Sequence, residues 1–280
     1  MKDFKDKVAA ITGAASGMGR TLALELARRG CHLALSDVNQ TGLTETAKMA
    51  RKLGVKVTTT TLDVANREAV FAWADKVVAD HGKVNLLFNN AGVAHGAFLE
   101  TVKPADFEWI MGINFWGVVS GTQAFLPHLK ESGEGHIVNI SSLFGLMALP
   151  TQGTYNVSKF AVRGYTEALR QELDMMDFGV SATCVHPGGI RTNIARDARL
   201  DKSIHEKTGQ DTEVTRRRFD KALNTTTAES AALQILRAVE RNERRVLVGP
   251  DAKVMDLVVR VLGSWYQPLI TMLSKKTMGR

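Results

Sequence analysis

The sequence predicts an α/β fold, a doubly wound parallel sheet of about seven strands with helices on both faces. Three features of the 280-residue chain predict it. Short β-rich runs alternate with longer helical patterns, seven such runs recur, and a glycine-rich turn joins the first strand to the first helix. Strands separated by helices pair in parallel through right-handed crossovers, so the helices cover both faces of the sheet.

Each strand candidate is a short run rich in apolar or β-branched residues. In order, the runs are KVAAIT from residue 7, HLALSD from 32, KVTTTTLD from 56, NLLFNNAG from 85, HIVNIS from 136, VSATCVHPG from 180 and RVLVG from 245. Helical patterns lie at 20–30, near 41–53, near 66–81, at 105–130, at 153–178 and near 228–241. In the first of them, Leu22 and Leu26 lie one turn apart, which marks a buried helical face.

One domain is expected over residues 1–252, because α/β sheets of this size commonly form a single unit. Residues 190–227 break the alternation with nine basic and six acidic residues between the sixth strand and the next helix. An insertion of that length is typical of a lid over a binding site, and a solvated helical hairpin is an equally good and compatible interpretation. Residues 253–280 form an amphipathic C-terminal extension.

The composition is that of an ordinary globular protein, with 44% hydrophobic and 23% charged residues. The net charge is +7, and the segment after residue 252 supplies +4 of it, from five Lys or Arg and one acid. Because the excess is terminal and no aromatic stacking platform is interleaved with it, we expect no nucleic-acid partner.

The two cysteines, Cys31 and Cys184, lie in short apolar runs without metal-ligand spacing. This pattern predicts buried, reduced thiols, with neither a disulfide nor a bound metal. The N-terminus lacks the apolar stretch of a signal peptide, and Asp256 and Arg260 interrupt the best candidate for a membrane span. A cytoplasmic protein is the expectation.

The turn after the first strand, TGAASGMGR, is typical of an anion site. Gly13, Gly17 and Gly19 let the backbone approach an anion, and the following helix presents unpaired N–H groups and the positive end of its dipole. The spacing G-x-x-x-G-x-G differs from the commoner dinucleotide fingerprint G-x-G-x-x-G. We predict that this turn binds the pyrophosphate of a dinucleotide.

Asp37 ends the second strand 18 residues after Gly19, close to the roughly 20 at which a carboxylate contacts the adenosine ribose. A carboxylate there repels a 2′-phosphate, so NAD is favoured over NADP. Two alternatives stay open: Asp37 only begins the next turn, or Arg20 accommodates NADP. Asp63, after the third strand, either contacts the adenine or caps the following helix.

The segment TYNVSKF places Tyr155 and Lys159 four residues apart, which makes their side chains neighbours on a helix. An ordinary surface pair has the same spacing. A tyrosine that works as acid and base near neutrality needs a pKa about three units below its usual value, worth roughly 4 kcal/mol. The lysine ammonium one turn away is expected to supply much of that lowering.

Six motifs together resemble the single-domain short-chain dehydrogenase/reductases, which have a Rossmann fold. They are TGAASGMG at 12–19, NNAG at 89–92, Asn114, NISS at 139–142, YNVSK at 155–159 and PGGIRT at 187–192. They follow the family's order over residues 7 to about 250. The resemblance implies a catalytic tetrad of Asn114, Ser142, Tyr155 and Lys159.

Ser142 is preferred to Ser141 because it lies thirteen residues before Tyr155. Neighbouring side chains of a strand point to opposite faces, so only one of the two serines can meet the tyrosine. The resemblance implies that Ser142 orients the substrate oxygen, that Tyr155 exchanges its proton, and that Lys159 binds the nicotinamide ribose. It also implies that Asn114 holds a water in a proton relay to Lys159.

The same resemblance and the glycine turn define the expected cofactor site. Its residues are Gly13, Ser16, Gly17, Met18, Gly19, Asp37, Asp63, Val64, Asn90, Ala91, Gly92, Tyr155, Lys159, Pro187, Gly188, Ile190 and Thr192. Asn89 is assigned to the cofactor side as well, although the asparagines of this segment can instead tie strands together. His186 is interpreted as a strand-end residue.

The segment LFGLMALPTQG, between Ser142 and Tyr155, is mainly apolar and holds no Arg or Lys to bind a carboxylate or phosphate. Its large apolar residues either wall the substrate pocket or pack in the core; they are Leu143, Phe144, Leu146, Met147 and Leu149. His95 and Phe98 are expected to line the same pocket.

These features predict an NAD(P)-dependent oxidoreductase that interconverts a lipophilic secondary alcohol and a ketone. An NADPH-dependent keto-acyl reductase and a non-catalytic dinucleotide-binding scaffold are the alternatives. Apolar residues with Trp265, Tyr266 and terminal lysines fit an amphipathic segment on a membrane surface, and equally a helix packed on the substrate site or a partner subunit. We favour packing of this segment within an oligomer. A homodimer or homotetramer is expected, since the resemblance implies that the two long helices, 105–130 and 153–178, pack between subunits.

Overall fold

The computed structural model describes residues 1–222 and 225–277. Over these residues it confirms the α/β fold, with one parallel seven-stranded sheet and helices on both faces. The strands are β1 (Val8–Thr12), β2 (His32–Asp37), β3 (Val57–Thr61), β4 (Leu86–Asn89), β5 (His95–Gly96), β6 (Gly135–Ile140), β7 (Val180–Pro187), β8 (Arg199–Leu200) and β9 (Arg245–Val248). The large sheet has the order β3-β2-β1-β4-β6-β7-β9, and β5 pairs with β8 alone.

The helices follow the predicted alternation. They are α1 (Gly17–Arg28), α2 (Gln40–Arg51), α3 (Arg67–His81), α4 (Pro104–Met111), α5 (Gly117–Glu131), α6 (Gly153–Met176), α7 (Ser203–Thr208), α8 (Thr212–Ala222), α9 (Ala228–Glu240), α10 (Pro250–Leu262) and α11 (Tyr266–Thr277). Local signals set several starts: the side chains of Asn39, Asn66 and Thr227 accept backbone N–H groups at the first turns of α2, α3 and α9.

The core lies on both faces of the sheet, because successive residues of a strand point to opposite sides. Ala9 and Ile11 of β1 belong to one apolar cluster with α1 and α9. Val8 and Ala10 of the same strand belong to a second cluster with α3 and α5. The central strands β1, β4 and β6 are therefore buried along their whole length.

The helix predicted at 105–130 is interrupted. A π-helical turn, Gly112–Trp116, joins α4 to α5. Such turns are rare and occur often at functional sites, because the extra residue redirects the side chains that follow. Asn114 lies in this turn and is fully buried.

The predicted insertion at 190–227 contains β8, α7 and α8. Residues 223 and 224 of it lie outside the described residues. The parallel pair of β8 with β5 ties the insertion to the segment that follows β4. The insertion is thus held next to the carboxyl ends of the central strands.

The C-terminal segment begins earlier than residue 253, because α10 spans the predicted boundary. Gly249 has a φ of 96° and Pro250 occupies the first helical position, which starts the helix there. Residues 278–280 of the predicted extension lie outside the described part of the chain. No helix in the described residues is long and apolar enough to cross a membrane.

Candidate active site

Two adjoining cavities open at the carboxyl ends of the central strands. The larger, about 480 Å³, contains Ser142, Tyr155 and Lys159 and is called the tyrosine cavity. The smaller, about 350 Å³, lies over Gly13 and Gly17 and is called the glycine cavity. Their shared lining residues are Met18, Asn90, Gly92, Ala94, Thr192 and Ile194.

The glycine turn has the geometry of an anion site. Gly13 and Gly17 have φ values of 67° and 52°, which side chains adopt with strain. A side chain on Gly19 would overlap the carbonyl oxygen of Gly13. Gly17 is the first residue of α1, with Ser16 before it, so the unpaired N–H groups of the helix start face the glycine cavity.

Asp37 lies at the far end of the glycine cavity and also braces the turn. Its Oδ2 accepts the N–H of Ala15 at 2.9 Å, and its Oδ1 accepts the N–H of Asn39 at 2.9 Å. It therefore begins the turn into α2 and lines the cavity at the same time. A carboxylate has about four acceptor sites, so acceptor capacity remains for a ligand.

Arg20 is engaged away from the cavity. Its guanidinium donates to the Thr46 hydroxyl at 2.9 Å and to the Gly42 carbonyl at 3.2 Å, and it forms an ion pair with Glu45 at 3.0 Å. These partners direct its charge toward α2.

Asp63 and Val64 line the glycine cavity at the end of β3. The Oδ1 of Asp63 accepts the N–H of Ala65 at 2.9 Å in a local turn. The alternative that Asp63 caps α3 is wrong, because the side chain of Asn66 caps this helix through the N–H of Ala69.

The NNAG segment divides into a structural and a cavity-facing part. The assignment of Asn89 to the cofactor side is wrong, because its amide is buried and donates to the Asn139 side chain at 2.8 Å and to the Thr122 hydroxyl at 3.2 Å. Asn90 lines both cavities, and its amide donates to the carbonyl oxygen of Thr12 at 2.9 Å.

Ala91 and Gly92 complete this wall. The N–H of Ala91 donates to the Thr12 hydroxyl at 3.0 Å, which holds the segment against β1. A Cβ on Gly92 would lie 3.3 Å from the Asn114 amide oxygen and 3.5 Å from the Lys159 ammonium. The bare Cα thus leaves a space between these two groups.

Tyr155 and Lys159 lie one turn apart in α6, and both are buried. The side chain of Ser142 interacts with the Tyr155 phenol and favours its ionised form. The hydroxyl of Ser141 points the other way and donates to the backbone carbonyl of Lys159 at 2.8 Å. The structure thus brings Ser142, and not Ser141, to the tyrosine.

The pKa of Tyr155 is raised to about 12, mainly because burial disfavours the phenolate, while the hydrogen bond with Ser142 acts in the opposite direction. The predicted lowering of this pKa by Lys159 is therefore wrong for the protein without cofactor. The Lys159 ammonium lies 5.6 Å from the centre of the tyrosine ring and donates to the Ile140 carbonyl at 3.0 Å instead. Burial lowers the pKa of Lys159 to about 8.

Asn114 is fixed by its π-helical turn. Its amide oxygen accepts the N–H of Val93 at 2.8 Å, and its NH₂ group donates to the Val93 carbonyl at 2.9 Å and the Ser158 hydroxyl at 3.1 Å. The side chain therefore braces the segment after β4, next to Lys159. The water relay through Asn114 stays a prediction.

The wall after β7 contains Pro187, Gly188 and Ile190, which line the tyrosine cavity. Thr192 lines both cavities and lies over Gly17, where an added Cβ would be 3.1 Å from its methyl group. His186 is a fully buried strand-end residue whose Nδ1 bonds the Ser142 carbonyl at 3.0 Å, and burial lowers its pKa to about 4.

Asp251, in the first turn of α10, is a lining residue that sequence reasoning missed. Its Oδ2 accepts the N–H of Gly189 at 2.6 Å. A side chain on Gly188 would collide with both carboxylate oxygens. Asp251 thus holds the backbone of the wall that follows β7.

The apolar wall differs in part from the predicted one. Leu143, Phe144 and Leu149 line the tyrosine cavity, whereas Leu146 and Met147 are buried in the core. His95 and Phe98 are not among the described lining residues: the His95 ring bonds the Thr154 hydroxyl at 2.9 Å, and a lysine of α7 lies over the Phe98 ring. Further lining residues that sequence reasoning missed come from the insertion and from α11; they are Ile194, Leu200, Ile204, Thr208, Gln210, Thr215 and Ser274.

The residues present fit a dinucleotide cofactor. The glycine turn and the start of α1 offer donors for a pyrophosphate, Asp37 offers a carboxylate for a ribose, and the bare Gly92 lets a ligand pass close to Lys159. The two cavities meet between these groups, so one extended ligand can reach from Asp37 to Tyr155.

Comparison with known proteins agrees with this site. The family model for short chain dehydrogenases matches residues 7–203. A Mycobacterium tuberculosis protein named "Putative oxidoreductase SadH" is 50% identical over 270 residues, which cover 96% of each chain. Human estradiol 17-beta-dehydrogenase 11 is 36% identical over 197 residues, covering 70% of this chain and 66% of that protein.

Solved structures agree as well. A short-chain dehydrogenase/reductase from Burkholderia phymatum in complex with NAD superimposes with a TM-score of 0.85 and 32% identity, covering 94% of this chain and 95% of that one. Levodione reductase superimposes with a TM-score of 0.77 and 26% identity, covering 89% and 99%. The chain belongs to the short-chain dehydrogenase/reductase family of NAD(P)-dependent oxidoreductases.

Proposed function

We propose that the protein uses NAD to interconvert a lipophilic secondary alcohol and the corresponding ketone. The observation that carries the proposal is the convergence of Ser142, Tyr155 and Lys159 in a cavity that adjoins the glycine turn. Hydride exchange with a cofactor needs a proton donor and acceptor beside the reacting carbon, and this arrangement supplies one.

Tyr155 exchanges the proton of the substrate oxygen: it takes the hydroxyl proton in alcohol oxidation and returns it in ketone reduction. The Ser142 oxygen accepts the N–H of Phe144 at 3.1 Å, so its own proton remains to bind the phenol or the substrate oxygen. Ser142 thereby orients the substrate toward the tyrosine. The nicotinamide ring, when bound, supplies the hydride acceptor or donor.

Lys159 supports this proton exchange by charge. With a pKa lowered to about 8, its ammonium is mostly charged at neutral pH. A positive charge one helical turn from the phenol favours the phenolate, but burial alone outweighs it in the protein without cofactor. We therefore expect the Tyr155 pKa to fall only when the positive charge of oxidised NAD is added to that of Lys159.

The preference for NAD over NADP rests on Asp37 and Arg20. The Asp37 carboxylate faces the glycine cavity, where it would repel a 2′-phosphate. The nearby guanidinium of Arg20 is occupied by Glu45 and by backbone carbonyls of the turn and α2. It is therefore poorly placed to bind that phosphate.

The lining of the tyrosine cavity supports a lipophilic substrate. Its charged members among the described residues are Lys159, which donates to a backbone carbonyl, and Asp251, whose Oδ2 accepts a backbone N–H; the wall opposite is apolar. A carboxylate or phosphate on the substrate would find no further cation among the described lining residues. The names of two similar proteins, an estradiol dehydrogenase and a levodione reductase, agree with an alcohol or ketone of low polarity.

We further propose that α5 and α6 pair between two copies of the chain. Trp116, just before α5, and Val157 and Phe160 of α6 are exposed apolar residues. The ion pair of Arg163 with Glu167 on α6 adds both signs of charge to the same helix. A mixed face of this kind can pair with its own copy.

A screen of hydrophobic alcohols and ketones tests the proposed reaction, with NAD and NADP compared side by side through the absorbance of the reduced nicotinamide. We expect turnover with NAD on at least one substrate, and a rate about 100-fold or more lower in Tyr155→Phe. Tyr165→Phe is the matched control, because it removes a phenol hydroxyl that lines neither cavity. A preference for NADP contradicts the role of Asp37, and an undiminished rate in Tyr155→Phe contradicts the mechanism.

A further inference from the structure

The C-terminal helices expose a series of apolar side chains. On α10, Ala252 and Asp256 face the protein, and the opposite side of the helix presents apolar residues three and four positions apart. The exposed set, called the C-terminal apolar surface, consists of Val254, Leu257, Val261, Leu262, Trp265, Leu269, Met272 and Leu273. Exposed apolar residues concentrated on one segment mark an interaction site.

The charges beside this surface are positive. Lys253 and Arg260 lie within one turn of Leu257 on α10, and Lys275 is exposed on α11. The acid Asp256 is 8% exposed and forms ion pairs with Arg245 and Arg260. Among the described side chains of residues 252–275, every exposed formal charge is therefore a cation.

The same helices are attached to the candidate active site. The Tyr266 hydroxyl, at the start of α11, accepts the N–H of Ala148 at 3.0 Å, in the segment that walls the tyrosine cavity. Ser274 of α11 lines that cavity. Whatever binds the C-terminal apolar surface is thus close to the tyrosine cavity.

We infer that the C-terminal apolar surface docks on an anionic lipid bilayer. A helix with an outward apolar stripe and Lys and Arg beside it lies in the plane of a membrane interface, where headgroup charges pair with the cations. Trp265, which is 75% exposed, is a residue type enriched at that depth. Docking would bring the cavity to a surface on which lipophilic compounds are concentrated, and it does not depend on which reaction the site performs.

A second copy of the chain is the less fitting occupant. A twofold contact brings the same surface of both copies together. Both copies would then bring the same excess of positive charge to the contact, from Lys253 and Lys275 and from Arg260, whose partner Asp256 is shared with Arg245. The α5 and α6 face, which carries both signs of charge, lacks this conflict.

Co-sedimentation of the full chain with vesicles tests the inference. We expect binding to vesicles of phosphatidylcholine mixed with phosphatidylglycerol, much weaker binding to phosphatidylcholine alone, and loss of binding as salt increases. The variant Leu257→Glu with Val261→Glu should bind at least about tenfold more weakly, because two apolar contacts become anionic. Met49→Glu with Leu53→Glu is the matched control, since both side chains are exposed and lie four positions apart at the end of α2, away from α5 and α6.

The contribution of charge is tested separately. Replacing Lys253 and Lys275 with glutamine should weaken binding about fivefold for each lysine, given about 1 kcal/mol per cation near an anionic surface. The same change at Lys76 and Lys202, which are exposed elsewhere, should leave binding unchanged.

Two outcomes would overturn the inference. One is no sedimentation of the wild type with the mixed vesicles at low salt, and the other is equal binding by the Leu257/Val261 variant and its control variant. If the wild type does not bind vesicles and the Leu257/Val261 variant loses subunits by light scattering, the surface is assigned to a second copy. Affinity for NAD, measured on every variant, separates these outcomes from a failure of the proposed reaction.

Discussion

Replacing Lys159 with methionine is expected to abolish activity and to stabilise the protein without cofactor at neutral pH. The side chain of Lys159 is 3% exposed, and burial lowers its pKa from 10.5 to about 8. At about 1.4 kcal/mol per pKa unit, holding the charged ammonium in this site costs about 3 kcal/mol. Methionine has a similar length and no charge, so it removes this cost.

One hydrogen bond offsets part of the gain. The Lys159 ammonium donates to the Ile140 carbonyl at 3.0 Å, and because this donor is charged, losing the bond costs about 2 kcal/mol. The variant should therefore be about 1 kcal/mol more stable than wild type at neutral pH. A chain of this size would melt a few degrees higher, roughly 2–4 °C per kcal/mol.

The difference in stability between variant and wild type should depend on pH. Between about pH 8 and 10.5 the unfolded wild type holds a proton that the folded protein has lost, so wild-type stability rises with pH across this window. Above it the burial cost is gone, and only the lost hydrogen bond separates the two proteins. The variant should then be the less stable one, by about 1 kcal/mol.

Urea unfolding without cofactor, at neutral pH and at about pH 11, measures both differences. Lys202→Met is the control, because the side chain of Lys202 is 83% exposed and its loss should change stability by less than about 0.5 kcal/mol. A Lys159→Met variant that is less stable than wild type at neutral pH would refute the reasoning. So would a stability difference that is the same at both pH values.

Three further variants test the cofactor site. In Gly19→Ala the added methyl would overlap the Gly13 carbonyl, so calorimetry should detect no NAD binding. Gly164→Ala should bind NAD like wild type. Equal affinities of the two variants would mean that the turn does not need its glycine. Asp37→Ser should weaken NAD binding about 10- to 100-fold, as expected for a lost hydrogen bond to a charged group, and narrow the preference over NADP; unchanged selectivity in steady-state kinetics would contradict this. Asp251→Ala removes the carboxylate that holds the wall after β7. We expect the factor by which the KM for NAD rises to be several times the factor by which kcat falls. An effect on kcat alone would contradict this role of Asp251.

Much of the fold could be predicted because local sequence patterns determine it. The glycine turn, the alternation of strands and helices, and the four-residue spacing of Tyr155 and Lys159 each need only a short window of sequence. Strand alternation also separated Ser142 from Ser141, since the two hydroxyls face opposite sides in the structure. These predictions depend on geometry that the backbone imposes on its immediate neighbours.

The features of the site that could not be predicted from the sequence depend on contacts between residues far apart in the chain. Asp251 accepts the N–H of Gly189, which lies 62 residues earlier in the chain, and no local sequence pattern predicts that contact. Leu146 and Met147 differ from Leu143 only in the side to which a 3-10 turn directs them. The predicted sign of the Tyr155 pKa shift was wrong for a related reason. The four-residue spacing indicates how close Lys159 lies, but burial decides the shift, and several elements of the fold together determine burial.

Titration of Tyr155 with and without bound NAD tests the central claim most directly. The chain has three tyrosines, so subtracting the ultraviolet titration of Tyr155→Phe isolates this phenol. We expect its pKa to be about 12 in the free protein and to fall below the usual value of about 10 when oxidised NAD is bound. A pKa that stays near its free-protein value in the NAD complex would contradict the role of Tyr155 as the acid and base of the reaction.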